Sequence, residues 1–308
     1  LVYWRLIIGL LLLAFFTGLC WLDAQSIRPG LYLLPLAILM VLLATQELLR
    51  LYHVRGHDPL AWTNYGGATL VVLAACAPIV MAPMTEDSIL SVSALTNVGW
   101  LMGGVAIALI VAFLGELVRY RQPGTTITNL SLTALTILYL AGMLGFLVQL
   151  RLLPVQGNVQ QGGMLAMASL VAVVKLTDVG AYFTGKNWGR HKFSPVLSPG
   201  KTWEGVAGGV LLAIGGACFF LGPVASWLNL TSQVTWSRWI GGTLLFGLAV
   251  SGVSIMGDLA ESLLKRDAGV KDSSTWLPGF GGVLDLLDSL LLTAPVGYIL
   301  WATGLVQV

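Results

Sequence analysis

Between Ser254 and Ser289 the chain reads SIMGDLAESLLKRDAGVKDSSTWLPGFGGVLDLLDS, and this stretch carries Asp258, Glu261, Lys265, Arg266, Lys271, Asp272, Asp285 and Asp288 between two strongly apolar runs. A charged side chain at the centre of a bilayer costs about 3 kcal/mol, so several together call for a polar cavity, an ion or a charged substrate. If the preceding helix continues to Arg266, Asp258, Glu261, Ser262 and Lys265 fall at i, i+3, i+4 and i+7, which is one face. Asp285 and Asp288 form a second acidic pair at i and i+3 in the first turns of the next apolar helix. Carboxylates from two helices around a gap suit a hard cation such as Mg²⁺, which commonly shares its coordination with substrate phosphate oxygens. Lys265, Arg266 and Lys271 would offer positive charge to those phosphates.

A second polar stretch precedes it. Lys175 and Asp178 stand at i and i+3 inside an apolar run. Beyond them KNWGRHKFSPVLSPGKTWEG (186–205) alternates Lys186, Arg190, Lys192 and Lys201 with Gly189, Pro195, Pro199 and Gly200. Ser198, Lys201 and Thr202 lead into a new helix, whose free N–H groups would make an anion seat. The Gly-Lys-Thr is not a P-loop: Pro195 stands where the first glycine belongs, and no strand is expected before it.

The elements that must position these residues are membrane helices. The 308 residues are 56% hydrophobic and only 10% charged, against about 25% charged in soluble domains, and mean hydropathy is +0.85. The expected fold is all-α and polytopic. Nine spans of about 20 apolar residues are read at 4–22, 31–50, 66–84, 97–118, 127–150, 162–184, 203–222, 239–262 and 283–305. The first is read as a helix and not a secretory signal, because its apolar run is long and no small-residue cleavage site follows closely. A cytoplasmic N-terminus leaves twelve basic loop residues inside and three (Arg28, Arg151, Arg238) outside, in keeping with the positive-inside bias.

Residues 1–150 are assigned to packing, lipid contact or self-association as a homodimer. Residues 151–308 are assigned to catalysis, with cytoplasmic loops at 185–202 and 263–282. Glu47, Glu116, His53, His57 and Asp58 sit at span ends or in short loops, where solvated or interfacial roles are the default. Cys20, Cys76 and Cys218 lie far apart in apolar runs and read as small core residues. The net charge of +2 is small and spread over loops, giving no signal for nucleic acid.

Ser262-x-Leu-Lys265-Arg266-x4-Lys271-Asp272-x-Ser274-x2-Leu277-Pro278-x2-Gly281-Gly282-Val283-x-Asp285-x2-Asp288 resembles the signature of the CDP-diacylglycerol synthases, or phosphatidate cytidylyltransferases. Asp178-x-Gly180-Ala181-Tyr182 through Ser198-Pro199-x-Lys201-Thr202-Trp203-Glu204-Gly205 is similar to that family's other preserved segment. Two positions depart from it: Phe280 where the family has His, and Leu286 where it has Arg.

The resemblance implies attack by the phosphate of phosphatidic acid on the α-phosphorus of CTP, giving CDP-diacylglycerol and pyrophosphate at the cytoplasmic face of a bacterial-type inner membrane. It implies Mg²⁺, with the number of ions left open. Asp258 and Asp285 are then the expected metal ligands, with Glu261 and Asp288 as further ligands. Lys265, Arg266 and Lys271 are expected at the triphosphate. Lys175, Arg190 and Lys201 are expected at one of the phosphates. Asp178, Ser198, Thr202, Glu204, Ser262 and Asp272 are expected to bind or orient substrate in the same cavity. Two other readings stay open from the residues alone: a CTP-dependent kinase or cytidylyltransferase acting on an isoprenoid lipid, and a cation-binding carrier.

Overall fold

The computed structural model describes residues 2–81, 94–230, 235–274 and 281–308. The chain is an all-α polytopic membrane protein. Seven helices among the described residues are long and apolar enough to cross a bilayer. In order, the helices are α1 (Val2–Ala24), α2 (Leu34–Val54), α3 (Ala61–Ala75), α4 (Ala77–Met81), α5 (Ala94–Arg119), α6 (Thr126–Leu135), α7 (Met143–Arg151), α8 (Val159–Trp188), α9 (Trp203–Phe219), α10 (Ala225–Trp227), α11 (Trp236–Asp267) and α12 (Val283–Ala302). A π-helical turn, Thr136–Gly142, joins α6 to α7, and another, Phe220–Val224, follows α9 around Pro223. The long helices fall on seven of the nine expected spans. The first expected span lies on α1, and the third on α3 and α4, which break at Cys76; residues 82–84 of that span are outside the described residues.

The chain divides into two compact units. The first comprises Leu1–Gln149 and Leu264–Leu287, the second Leu150–Leu263 and Asp288–Val308. In the first unit α3 packs against α5 where side chains are small: a Cβ added at Gly104 would stand 2.5 Å from the Ala74 Cβ. Two buried side-chain amides in this unit donate to backbone carbonyls. Asn64 Nδ2 donates to Leu60 O (2.8 Å), and Gln149 Nε2 donates to Ala75 O (2.8 Å). Along α5, Ile107, Ile110, Leu114 and Leu117 form an exposed stripe at helical spacing, the face such a helix gives to acyl chains.

The second unit is built on a glycine seam. Gly205, Gly208 and Gly209 of α9 face α8 so closely that a Cβ at Gly205 would stand 2.8 Å from the Ala181 carbonyl oxygen, and one at Gly209 would stand 2.9 Å from that of Thr177. This is the small-residue spacing by which membrane helices bring their backbones together. Between these helices the basic stretch differs from the expected loop. It forms an antiparallel hairpin, β1 (Lys192–Ser194) with β2 (Ser198–Thr202), and Gly200-Lys201-Thr202 is itself the end of a strand.

Candidate active site

In the second unit, α11 carries Asp258 and Glu261, and α12 carries Asp288. The two helices meet at Gly257, where an added Cβ would lie 2.8 Å from the Asp288 carbonyl oxygen. That close approach brings carboxylate oxygens of Asp258, Glu261 and Asp288 within 4.8 Å of one another. Glu261 is buried at 1% exposure, while Asp258 and Asp288 are half-buried. Anions this close repel strongly unless a cation lies among them. Lys201 supplies one positive charge, its Nζ 2.7 Å from Asp258 Oδ2 and 3.4 Å from the Ile255 carbonyl oxygen. Lys175 pairs with Asp178 at 3.4 Å along α8. The three oxygen donors fit a hard divalent cation by type and number.

The hairpin positions Lys201. Thr202 is the N-cap of α9, its Oγ1 accepting from Gly205 N at 3.1 Å. Glu204, in the first turn, accepts from the backbone N–H groups of Arg190 (3.1 Å) and His191 (3.2 Å), and its other oxygen lies 2.6 Å from His191 Nδ1. Trp203 N donates to His191 O at 3.0 Å, and the Trp203 ring meets Phe193 edge to face at 4.7 Å. Of the residues expected at substrate, Glu204 and Thr202 thus hold the base of the hairpin. Ser198 pairs with Ser194 across it, and Arg190 is exposed.

Asp285, expected to share an ion with Asp258, belongs to the first unit, where its carboxylate is fully engaged. Oδ1 lies 2.5 Å from Lys265 Nζ, and Oδ2 accepts from Gly282 N (2.7 Å), Ser273 Oγ (2.7 Å) and Ser273 N (3.2 Å). Gly281 sits at φ +86°, a left-handed conformation suited to glycine, and a side chain there would run into Asp285. Ser262 is buried beside Glu261 in sequence. Arg266 is exposed and donates to Val270 O at 3.2 Å, and Lys271 and Asp272 are exposed. Of the two departures from the family pattern, Leu286 is half-buried and Phe280 lies outside the described residues.

Glu47 and Glu116, expected in solvated or interfacial roles at span ends, are instead buried, and Glu47 makes a set of contacts that the sequence reading missed. Glu47 of α2 is 4% exposed. Its Oε1 accepts from Ser274 Oγ (2.9 Å) and Val283 N (3.0 Å), and its Oε2 from Ser273 Oγ (2.9 Å) and Leu284 N (2.8 Å). The available signal was an acid within the apolar run LLATQELLRL, since an ionisable residue at membrane depth is functional by default.

The sequence model of the cytidylyltransferase family matches residues 3–303. The phosphatidate cytidylyltransferase of Haemophilus influenzae is 41% identical over 133 residues, covering 43% of this chain and 44% of that protein. That of Pseudomonas aeruginosa is 46% identical over 144 residues, covering 46% and 50%. The uncharacterized protein YnbB of Escherichia coli is 45% identical over 136 residues, covering 44% and 42%. The matched stretch thus spans half or less of the length of these relatives. The chain belongs to the cytidylyltransferase family.

Proposed function

We propose that this member of the cytidylyltransferase family transfers CMP from CTP to phosphatidic acid, forming CDP-diacylglycerol and pyrophosphate at the cytoplasmic face of the inner membrane. The observation that carries the reading is the convergence of Asp258, Glu261 and Asp288 beside Lys201. It is supported by the names of the Haemophilus and Pseudomonas relatives. In the reaction a phosphate oxygen of phosphatidic acid bonds to the α-phosphorus of CTP, and the bond from that phosphorus to the β-phosphate bridging oxygen breaks. A phosphate dianion is already a nucleophile, so no general base is needed. The protein's task is positioning and charge neutralisation.

Asp258, Glu261 and Asp288 would hold Mg²⁺. When bound, that ion would neutralise phosphate charge and orient the anions for in-line displacement. Lys201 stands where it can exchange its contact with Asp258 for a phosphate oxygen, and Lys175 and Arg190 add positive charge on the same unit. Lys265, Arg266 and Lys271 take the leaving pyrophosphate or the triphosphate. Asp285 serves the reaction through the Lys265 ammonium and its contacts with Ser273 and Gly282.

The test is to give purified full-length protein in lipid nanodiscs radiolabelled CTP, phosphatidic acid and Mg²⁺. Labelled CDP-lipid with release of pyrophosphate supports the proposal. CDP with a phosphorylated lipid, or no nucleotide turnover, overturns it.

A further inference from the structure

We infer that Glu47 is a positioning residue for this transfer, clasping Ser273 and Ser274 together with the first turn of α12 at Val283 and Leu284 so that Asp285 and Lys265 are presented in one arrangement; the inference rests on the proposed cytidylyl transfer. The first turn of α12 has free N–H groups that its own sequence does not cap, because Gly282 stands at the N-cap position and has no side chain to do so. Glu47 accepts from the next two N–H groups, those of Val283 and Leu284, and Asp285 accepts from Gly282 N. A side chain at residue 282 would collide with Glu47 Oε2 and Ser273 Oγ, so the glycine is the space into which the carboxylate fits.

A cap alone would use one oxygen. Here both oxygens also take a serine hydroxyl from the loop, Ser273 at 2.9 Å and Ser274 at 2.9 Å, so four donors converge on a single carboxylate. Ser273 Oγ lies within reach of two acids at once, Glu47 Oε2 at 2.9 Å and Asp285 Oδ2 at 2.7 Å. The single hydroxyl proton of Ser273 is available to either carboxylate, so Ser273 links Glu47 to Asp285, whose Oδ1 lies 2.5 Å from Lys265 Nζ. All four partners of Glu47 among the described residues are donors. The isosteric Gln therefore turns an NH₂ toward a backbone N–H, breaking one contact and removing the negative charge at the helix N-terminus.

The experiment uses the full chain in nanodiscs, with Glu47→Gln as the main variant and Ser274→Ala as a milder one that removes one of the four donors. Three quantities are measured: kcat and KM for CTP, amide hydrogen exchange across 267–284, and the thermal unfolding midpoint. Glu47→Gln is expected to lower kcat by about tenfold or more while KM for CTP moves less than about threefold. Exchange at Ser273, Val283 and Leu284 is expected to rise, with α5 and α8 unchanged. Ser274→Ala is expected to shift both readouts in the same direction by less. Wild-type kcat in Glu47→Gln overturns the inference. So does a kcat loss that only tracks lost folded protein, because that is a general structural role. If the unsubstituted protein forms no CDP-lipid, the functional reading fails and takes the catalytic consequence with it; unchanged exchange in active protein removes the clasp alone.

Discussion

Three carboxylates within 4.8 Å of one another are held there against repulsions of about 4 kcal/mol per pair at 4 Å and an effective dielectric near 20. The close approach of Gly257 to the backbone of Asp288 brings the three together, so packing maintains the repulsion and a cation bound among them would relieve it. Asp258→Asn, Glu261→Gln and Asp288→Asn should each raise the Mg²⁺ concentration needed for half-maximal activity by at least about tenfold, the usual cost of disturbing even an outer partner of a metal. Asp285→Asn should abolish CDP-lipid formation as well, by releasing Lys265 and the Gly282 and Ser273 contacts. Titrating Mg²⁺ against activity checks both, and an Asp258→Asn variant with an unchanged Mg²⁺ requirement would refute the ligand assignment. Asp258 and Glu261 were legible as one helix face, and Asp285 with Asp288 as an acidic pair on the next helix; helical period could not say that Asp288, and not Asp285, stands beside Asp258 and Glu261. Glu47 was not legible as a cap. Its partners lie 226 to 237 residues away in sequence, and no periodicity within α2 reports a carboxylate that caps a different helix.

At the scale of elements, the site depends on two close helix approaches, α8 with α9 and α11 with α12, both made through glycine. The difference between glycines that are filled against and those that are not gives a direct check. A Cβ at Gly209 would meet the Thr177 carbonyl oxygen at 2.9 Å, whereas Gly215, six residues on, has nothing within 4 Å. Gly209→Ala should therefore destabilise by about 1–3 kcal/mol through forced separation of the helices. Gly215→Ala should be neutral or stabilising, because alanine is the better helix former. Thermal unfolding of the two variants in the same detergent measures the contrast, and equal midpoints would mean that the seam does not hold the pair together. Glycines in α9 announced a tight contact, although not its partner. The hairpin was hidden for a different reason: Pro195, Pro199 and Gly200 read as loop formers, and a proline in a strand of this size is tolerated only because the strand is an edge. The sequence offered Lys201 as a cation ahead of a helix N-terminus. Its seat 2.7 Å from Asp258 depends on the hairpin and was not legible.

At the scale of the whole molecule, the long apolar runs made the helical membrane class plain, while the grouping of 264–287 with the first 149 residues had no sequence mark, because α11 and α12 run unbroken through the points where the units divide. Orientation is carried by charge. The loops assigned inside hold twelve lysines and arginines, against Arg28, Arg151 and Arg238 outside. The bias acts through short loops of this kind. On this ground we propose that the hairpin, with Lys192 and Lys201, and the end of α11, with Lys265 and Arg266 in its last turn and Lys271 just beyond it, lie on the cytoplasmic side, the side that holds CTP. Cysteine labelling tests this directly. The native cysteines Cys20, Cys76 and Cys218 are first replaced by serine or alanine, and Lys192→Cys and Arg238→Cys are then introduced one at a time. A membrane-impermeant maleimide should label Lys192→Cys in inside-out vesicles and Arg238→Cys in right-side-out vesicles. The reverse pattern would put the carboxylate cluster's hairpin on the side away from nucleotide, and cytidylyl transfer from cytoplasmic CTP would then be excluded whatever the residues at the site.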